Sequence, residues 1–271
     1  MPVRARKRFG QHFLHDPAVL ERIVRAVAPA PGERLLEIGP GRGALTQRLL
    51  QTPLSSLDAV EIDRDLAAQL RVRFAADTRF ALHETDALRF EVPALARARG
   101  GALRVVGNLP YNISTPLLFH LLQSVDALTD MHLMLQREVV ARITAQPGSS
   151  EYGRLTVMLA PWVRAQWLFD VGPGAFQPAP RVWSSVVRLV VLAEPAFPID
   201  ARYGVVVAAA FAHRRKTLRN ALRGVRSAAQ IEACGLDPQV RPEMLPASAF
   251  QALACAAESA AAPSLSDTAI G

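Results

Sequence analysis

The chain has 271 residues, half of them hydrophobic, and a formal net charge of +7 at pH 7. This length predicts one or two domains, and the hydrophobic fraction is ample for a packed core. The two cysteines, Cys234 and Cys255, lie far apart with no Cys-x-x-Cys pair. We therefore expect neither a disulfide framework nor a cysteine-based zinc site, and we favour a reducing compartment.

Two features bear on membranes and secretion. The N-terminus is basic but is not followed by an apolar stretch, so we expect no secretory signal and a cytoplasmic location. Residues 105–125 carry no Asp, Glu, Lys or Arg, yet they include two prolines and two asparagines. This composition is typical of a strand, a loop and a helix, and we expect no membrane span.

The first elements lead to a glycine-rich turn. Four positive charges lie in residues 4–8, and Asp16 is expected to cap a helix that starts at Pro17 and runs to about residue 28. The apolar run 34–38 predicts a buried strand, and a helix is expected over 44–51. Glycines at 39, 41 and 43 allow positive φ and a close ligand approach, while the helix behind them offers unpaired N–H groups. The pattern predicts a nucleotide-type cofactor site.

The acids around this turn indicate which cofactor. Glu61 ends a second apolar run, about where a ribose-binding acid lies in such folds. The spacing Gly39-x-Gly41-x-x-Ala44 also fits a dinucleotide fingerprint, so a nicotinamide oxidoreductase stays an alternative. Glu37, inside the preceding strand, favours S-adenosylmethionine, because an acid there attracts the cationic amino-acid end of that cofactor and repels a pyrophosphate.

The rest of the chain alternates strands and helices before becoming helical. Strands are expected at 57–62, 80–83, 103–106 and 131–135, and helices at 64–75, 116–124 and 137–145, which predicts a doubly wound parallel sheet. Segment 155–162 fits a helix or a strand, and runs 166–171 and 185–192 predict a closing hairpin. Helices are expected over 200–223, 227–234 and 247–258, with a disordered tail. We place one domain boundary after residue 193.

Asn108-Leu-Pro-Tyr111 follows a strand at the sheet edge that carries sites in doubly wound folds. The Asn108 side-chain oxygen and a carbonyl of Leu109 or Pro110 suit the two N–H groups of an exocyclic aromatic amine. Such a nitrogen is a poor nucleophile, so two acceptors would aim its lone pair at a methyl group. Tyr111 offers a face for a flipped base. The alternative is a simple Asn-Pro turn.

Two further single residues are candidates. Asp86 ends the strand before this one and suits the amino group of an adenine, although a helix N-cap is the other interpretation. Phe176 lies in a Pro-rich loop, where it is either a packed anchor or a stacking surface for the second face of a base.

Residues 212–226 contain seven basic residues and no acid. Phosphate contacts are the favoured role, and a solvated helix face is the alternative. Arg226 is expected to point outward with its basic neighbours, and the RNA-binding candidates are Arg214, Arg215, Lys216, Arg219 and Arg223. The six histidines are scattered, so no metal site is expected.

The chain resembles the ribosomal RNA adenine N6,N6-dimethyltransferase family over about residues 4–250. The motifs that carry the resemblance are Lys7-Arg-Phe-Gly-Gln-His-Phe-Leu14, Glu37-Ile-Gly-Pro-Gly41, Glu61-x-Asp63, Asn108-Leu-Pro-Tyr-Asn-Ile-Ser114, Tyr152-Gly-Arg154, Phe176-x-Pro-x-Pro180 and Arg214-Arg-Lys-Thr-x-Arg219. Two departures are His12, where many members have Asn, and Trp183, where the family commonly has Asp.

The resemblance implies an α/β fold, a Rossmann-like S-adenosylmethionine-dependent methyltransferase sheet over 1–193 with a small all-helical RNA- or ribosome-binding domain over 194–271. It implies a monomer that dimethylates two adjacent adenosines in the 3′-terminal hairpin of small-subunit ribosomal RNA within the pre-30S particle. The implied cofactor contacts are His12, Leu14, Gly39, Glu61, Asp86 and Asn108. A large-subunit methyltransferase of the macrolide-resistance type and a non-enzymatic assembly factor are alternatives.

Overall fold

The structure is a computed structural model that describes residues 11–213 and 215–256. The basic cluster at 4–8, Arg214 and the tail expected to be disordered lie outside the described residues.

A seven-stranded sheet forms the centre of the first part of the chain. Its spatial order is β4-β3-β2-β5-β6-β9-β7, with the strands bounded as follows: β2 (Arg34–Ile38), β3 (Ser56–Glu61), β4 (Phe80–Glu84), β5 (Leu103–Asn108), β6 (Leu128–Gln136), β7 (Val163–Val171) and β9 (Ser184–Val191). The first five pair in parallel, and β9 pairs antiparallel with both β6 and β7. The predicted parallel sheet and closing hairpin are confirmed.

Six helices accompany these strands in the described residues: α1 (Pro17–Val27), α2 (Ala44–Leu49), α3 (Arg64–Arg73), α4 (Val92–Arg99), α5 (Ser114–Leu122) and α6 (Arg137–Ile143). Asp16 caps α1 as predicted, since its carboxylate accepts from the backbone N–H of Ala18 and of Val19. Helix α4 was not predicted. It begins at a Val-Pro step and ends at Gly100, which has φ of 73°, a start and a stop that its arginine-rich sequence obscures.

A short two-stranded sheet lies beside the large one. Strand β1 (Phe13–Leu14) pairs antiparallel with β8 (Phe176–Gln177). The pairing continues at His15, whose N–H donates to the carbonyl of Ala175 at 3.0 Å. This small sheet holds the segment 11–14 next to the Pro-rich loop.

The later helices are α7 (Arg154–Leu159), α8 (Tyr203–Ala210), α9 (Leu218–Ala221), α10 (Ala228–Ala233) and α11 (Ala247–Cys255). The prediction of one helix over 200–223 was wrong, because the chain leaves α8 at Phe211 and re-enters a helix only at Leu218. The N–H groups of Leu218 and Arg219 bind the carbonyls of Val240 and Pro238 instead of a preceding helical turn.

Contacts divide the chain into two compact units. One contains the described residues of Met1–Ala145 together with Trp162–Ala196, and the other contains Gln146–Pro161 and the described residues of Phe197–Gly271. The sequence suggested a single boundary after residue 193, whereas the contacts move 146–161 into the helical unit. The reason is two buried hydroxyls: Tyr152 donates to the carbonyl of Leu245, and Tyr203 donates to the carbonyl of Val157.

Two properties of the described residues frame the site. The five parallel strands end at one edge of the sheet, where side chains of different strands converge. Among helices within 11–213 and 215–256, none combines the length and apolarity needed to cross a membrane.

Candidate active site

One cavity lies at the carboxyl ends of β2, β3 and β5. The residues that line it include every position that the sequence and the resemblance suggested for the cofactor: His12, Leu14, Gly39, Glu61, Asp86 and Asn108. Leu109, Pro110 and Tyr111 line the same cavity. The fold therefore brings together residues separated by up to about a hundred positions in the chain.

The glycine-rich turn and Glu61 form one hydrogen-bonded unit. Gly39 and Gly41 both have positive φ, 67° and 57°. The N–H of Gly41 donates to Glu61 Oε2 at 3.1 Å, and the N–H of Asp63 donates to Glu61 Oε1 at 2.9 Å. A Cβ on Gly41 would lie 3.0 Å from the ring of Phe13, so both the conformation and the space at this position require glycine.

Both glutamates of the site have raised pKa values. Burial raises the pKa of Glu61 above its ordinary range, despite the N–H groups that stabilise its charge. Glu37 is only 2% exposed, and its carboxylate accepts a 2.7 Å hydrogen bond from the hydroxyl of Thr46. Burial, together with the nearby charge of Glu61, raises the pKa of Glu37 to about 7 despite the hydrogen bond from Thr46. Neither forms an ion pair with another described residue.

The tetrapeptide at the end of β5 is anchored at both ends. Asn108 donates from its side-chain Nδ2 to the backbone carbonyl of His12 at 2.9 Å. The N–H of Leu109 donates to the carbonyl of Met134, and its side chain is buried. The Pro110 carbonyl accepts from the N–H of Ile113 at 3.2 Å. One N–H of the Asn108 amide is therefore engaged by His12, and no described residue donates a hydrogen bond to the side-chain oxygen of this cavity-lining residue.

Tyr111 presents a supported aromatic ring. Its hydroxyl hydrogen-bonds to Oγ of Ser184 at 2.7 Å, and its ring stacks on His12 with centroids 5.6 Å apart. The ring of His12 is itself fixed, because its Nδ1 lies 2.7 Å from the carbonyl oxygen of Pro178. His12 thus acts through its backbone carbonyl and through its ring.

Phe176 occupies a different environment from Tyr111. It is 3% exposed, pairs with Leu14 between β8 and β1, and belongs to the hydrophobic cluster that includes Leu20 and Leu45. Of the two roles that the sequence allowed for Phe176, the structure shows the packed anchor. Stacking of Phe176 on a base stays a prediction, and it requires the ring to leave this cluster.

Asp86 fits both of its interpretations. One carboxylate oxygen accepts from the N–H of Leu88 at 2.9 Å, which caps a short helical turn. The residue also lines the cavity, so its second oxygen is available to an adenine amino group.

Several lining residues were missed by sequence reasoning. Phe13, Ile62 and Leu88 give the cavity apolar walls, and Thr46 holds Glu37 from α2. The only sequence signal was position: Ile62 directly follows Glu61, and Phe13 lies between two predicted residues. The contact of Thr46 with Glu37 gives no signal, because it depends on how α2 packs against β2.

The basic segment is mostly exposed but has one exception. Arg215, Lys216, Arg219 and Arg223 are exposed. The expectation for Arg226 was wrong: it is 8% exposed, and its guanidinium donates to the carbonyls at positions 253 and 254. Within the described part of the chain, no group of three or more His, Cys, Asp or Glu residues could hold a metal ion.

The parallel sheet, the glycine-rich turn with its ribose-type acid, and Asn-Leu-Pro-Tyr at the end of β5 define a Rossmann-like methyltransferase. A family model described as "Ribosomal RNA adenine dimethylase" matches residues 3–254. The chain belongs to the ribosomal RNA adenine dimethylase family, as the motifs predicted.

Curated relatives carry matching names. A "Ribosomal RNA small subunit methyltransferase A" of Pseudomonas aeruginosa is 53% identical over 253 residues, covering 93% of this chain and 94% of the relative. One of the same name from Methylococcus capsulatus is 54% identical over 244 residues, covering 89% and 93%.

Solved structures share the fold. The "23S rRNA methyltransferase ErmE" has a TM-score of 0.71 at 25% identity, covering 89% of this chain and 97% of that one. A "dimethyladenosine transferase from Plasmodium falciparum" has a TM-score of 0.75 at 23% identity, covering 89% and 96%.

Proposed function

We propose that this protein transfers methyl groups from S-adenosylmethionine to the N6 atoms of two adjacent adenosines in the 3′-terminal hairpin of small-subunit ribosomal RNA, during subunit assembly in the cytoplasm. The observation that carries the proposal is the fixed amide of Asn108. Its nitrogen is bound to the His12 carbonyl, so its oxygen is presented at the cavity as a hydrogen-bond acceptor. An exocyclic amine needs such an acceptor.

The choice of ribosomal subunit follows the relatives. Those named for the small subunit are 53% and 54% identical to this chain, whereas the large-subunit enzyme of known structure is 25% identical. The higher identity supports the small-subunit substrate over the macrolide-resistance alternative.

The cavity fits the proposed cofactor. S-adenosylmethionine carries two positive centres, an ammonium and a sulfonium, and the cavity offers Glu37, Glu61 and Asp86. Glu61 suits the ribose hydroxyls, Asp86 the adenine amine, and Ile62 and Leu88 the faces of the adenine ring. A dinucleotide pyrophosphate would instead meet the buried Glu37 beneath the turn, which disfavours the oxidoreductase alternative.

The chemistry needs positioning more than proton transfer. When bound, the cofactor supplies an electrophilic methyl group whose leaving thioether is neutral. The chain must hold the amine so that its lone pair points at the methyl group instead of being delocalised into the ring. Two acceptors that bind its two N–H groups do this. Asn108 supplies the first acceptor. The Pro110 carbonyl already closes a turn on Ile113, so we assign the second to the Leu109 carbonyl.

Tyr111 supplies the stacking surface for the target base. Its ring is held from behind by His12 and at its hydroxyl by Ser184. A ring fixed in this way loses little conformational freedom when a base stacks on it. Burial also raises the pKa of the Tyr111 hydroxyl, so it stays neutral at working pH and acts as a structural group.

The affinity for RNA is assigned to the exposed basic residues of the helical unit. Arg215, Lys216, Arg219 and Arg223 carry charge on a surface without an acid in the surrounding segment. Phosphate contacts of this kind supply sequence-independent affinity and leave base recognition to the site.

The decisive experiment is single-turnover methyl transfer by Asn108→Ala on small subunits that lack the modification, at saturating cofactor and saturating subunit. We expect the barrier to rise by about 2–4 kcal/mol, the size of one lost preorganised hydrogen-bonding group. Binding of the particle should be retained. Asn112→Ala, an exposed asparagine at the rim of the same cavity, is the matched control and should transfer at the parent rate.

Two outcomes would contradict the proposal. A folded Asn108→Ala protein with the parent rate would remove the hydrogen-bonding role. Parent protein that binds subunits but labels no adenosine, when the products are mapped, would favour the non-enzymatic assembly factor.

A further inference from the structure

Trp183 is a large aromatic residue left open to solvent. It is 54% exposed, although tryptophan side chains are usually mostly covered. It directly precedes Ser184, the first residue of β9 and the partner of the Tyr111 hydroxyl. Because β9 runs antiparallel to β6, its first residue lies at the carboxyl edge of the sheet. Trp183 is therefore an exposed aromatic that directly precedes, in the chain, the residue bound to the Tyr111 hydroxyl.

The six-membered ring of the indole faces Gly172, on the side of the glycine where a side chain would project. A Cβ built on Gly172 would lie 3.6, 3.7 and 3.9 Å from three consecutive atoms of the six-membered ring of Trp183. Distances this similar place the glycine against the face of the ring, since an approach to the edge would bring one atom much closer than its neighbours. Gly172 therefore lies on one side of the ring, and Trp183 remains 54% exposed.

The backbone at Trp183 is fixed on both sides. Its carbonyl accepts a 2.9 Å hydrogen bond from the N–H of Arg137, at the start of α6. The next residue, Ser184, is fully buried and pairs with Gln136 in β6 and Val171 in β7. The exposed indole thus belongs to an ordered part of the sheet edge, and its position relative to Tyr111 is set by one buried residue.

The charges nearby are favourable to a polyanion. Arg181, two residues earlier, is exposed, and Arg137 is exposed with its guanidinium 3.3 Å from Asp170. Asp170 is the acid of this neighbourhood, and it is also engaged by the indole N–H of Trp167 and by the hydroxyl of Ser185. Exposed arginines at position 181 and at the backbone partner of Trp183 add phosphate attraction to base stacking.

We propose that the open face of Trp183 stacks on an unpaired base of the RNA substrate that adjoins the adenine held at Tyr111. This inference rests on the function proposed above and adds a second base-binding position to it. Trp183 does not line the cofactor cavity, which is built on β2, β3 and β5. It lies on the β9 and β7 side of Tyr111, so its occupant is the RNA rather than the cofactor. The Asp that the family commonly has at this position would offer no such surface.

The test compares three substitutions by methyl-transfer kinetics on small subunits that lack the modification. We expect Trp183→Ala to raise KM for the subunit by about 5- to 50-fold, the effect of losing one base–aromatic stack. The kcat at saturating subunit and the Kd of the cofactor should not change. Trp183→Phe should restore KM to within about 3-fold, and Trp183→Asp should match or exceed the effect of Trp183→Ala. Val182→Ala, at the exposed neighbouring residue, is the control and should resemble the parent.

A second readout separates stacking from a structural role. An RNA hairpin with the 3′-terminal small-subunit sequence should quench the tryptophan fluorescence of the parent protein. Trp183→Phe should lose that quenching while keeping its KM. The slope of affinity against salt should be the same in the parent and Trp183→Ala, because no phosphate contact is removed.

Each remaining result has a definite meaning. An unchanged KM in Trp183→Ala, with normal methylation by the parent, overturns the stacking role and leaves the proposed function intact. A raised KM for subunits without any effect on hairpin binding also overturns it, because Trp183 would then contact a ribosomal protein. A parent protein that methylates no RNA overturns both proposals.

Discussion

The two ends of the seven-stranded sheet both bury carboxylates, but they partner them differently. At the amino end, Arg104 donates to both oxygens of Asp130 at 2.8 and 3.0 Å. Asp58 is similarly hydrogen-bonded to Nε2 of His83, and it accepts two hydrogen bonds from the Nε and Nη2 groups of Arg99. Burial raises the pKa of each aspartate, but the hydrogen bonds from these side chains outweigh burial, and both pKa values lie below the ordinary one.

At the carboxyl edge the balance is reversed. Within residues 11–213 and 215–256, Glu37 and Glu61 receive hydrogen bonds only from a hydroxyl and from backbone N–H groups, and burial keeps both pKa values raised. The aspartates at the amino end are therefore paired with basic side chains of the chain itself, whereas Glu37 and Glu61 form no ion pair with another described residue, as expected of the ligand-binding acids proposed above. The comparison separates structural from binding acids without reference to any relative.

The largest expected effect comes from breaking the amino-end cluster. Asp130→Ala leaves the buried Arg104 with Glu33 as its remaining carboxylate partner, at 2.6 Å, and Asp130 also binds Arg188 at 3.0 Å. We expect the free energy of unfolding, measured by urea denaturation, to fall by about 3–5 kcal/mol. Glu138→Ala, which removes an exposed partner of Arg142, is the control, with an expected loss below about 1 kcal/mol. Equal losses in the two variants would show that burial of the pair is irrelevant.

The next largest effect is a gain in stability that depends on pH, and it is expected for a substitution of Glu37. The folded pKa of Glu37, about 7, is above the ordinary value of 4.5. The folded protein therefore holds a proton that the unfolded chain releases, so this stability is present below pH 4.5 and is lost as pH rises through 7. Glu37→Gln keeps the bond to Thr46 and should be more stable than the parent at pH 8, by on the order of 3 kcal/mol, and equally stable near pH 4.5.

Asp58→Asn is the counterpart of this variant at the amino end. Its pKa is lowered in the folded protein, so the ionised form contributes stability that is present above the ordinary pKa and lost as pH falls. The substitution should therefore destabilise the protein at pH 8. Unfolding curves of both variants at pH 5 and pH 8 provide the measurement. Effects of the same sign at pH 8 would remove the distinction between the two ends.

The affinity for the cofactor should change on substitution of an acid at the carboxyl edge of the sheet and not on substitution of an acid at the amino end. Glu61→Gln keeps an acceptor for Gly41 but loses the charge, and we expect S-adenosylmethionine binding to weaken by about 1–3 kcal/mol. Asp58→Asn should bind as the parent does. Calorimetry on both variants decides the matter, and unchanged affinity in folded Glu61→Gln protein would exclude Glu61 from the site.

The smallest effect concerns the second group of charges that lack partners within the chain. In the described residues, Arg219 and Arg223 form no ion pair, so phosphates are their proposed counterions. Arg219→Ala and Arg223→Ala should each lower the slope of log affinity for RNA against log salt by about 0.7–0.9. Arg241→Ala, which removes a cation 3.9 Å from Glu243, should leave the slope nearly unchanged. If all three variants behave alike, the basic run is only a solvated face.

Local pattern was sufficient for most of the fold. The alternation of short apolar runs with helical segments predicted the parallel strands, and Asp16-Pro17 predicted the start of α1. Helix α4 and the break between α8 and α9 were not recovered. Their bounds depend on a Val-Pro start hidden among arginines and on N–H groups that bind the distant segment 238–240.

The sequence by itself predicted the chemistry of the site: the glycine turn, Glu37, Glu61, Asp86 and Asn108 were chosen because each has a local signature in or directly after a strand. Only the tertiary structure decided what surrounds them. It buried Phe176 under β1, turned Arg226 inward and set Trp183 on Gly172. These outcomes depend on contacts between residues far apart in the chain, and burial is a property of such contacts, which no local pattern contains.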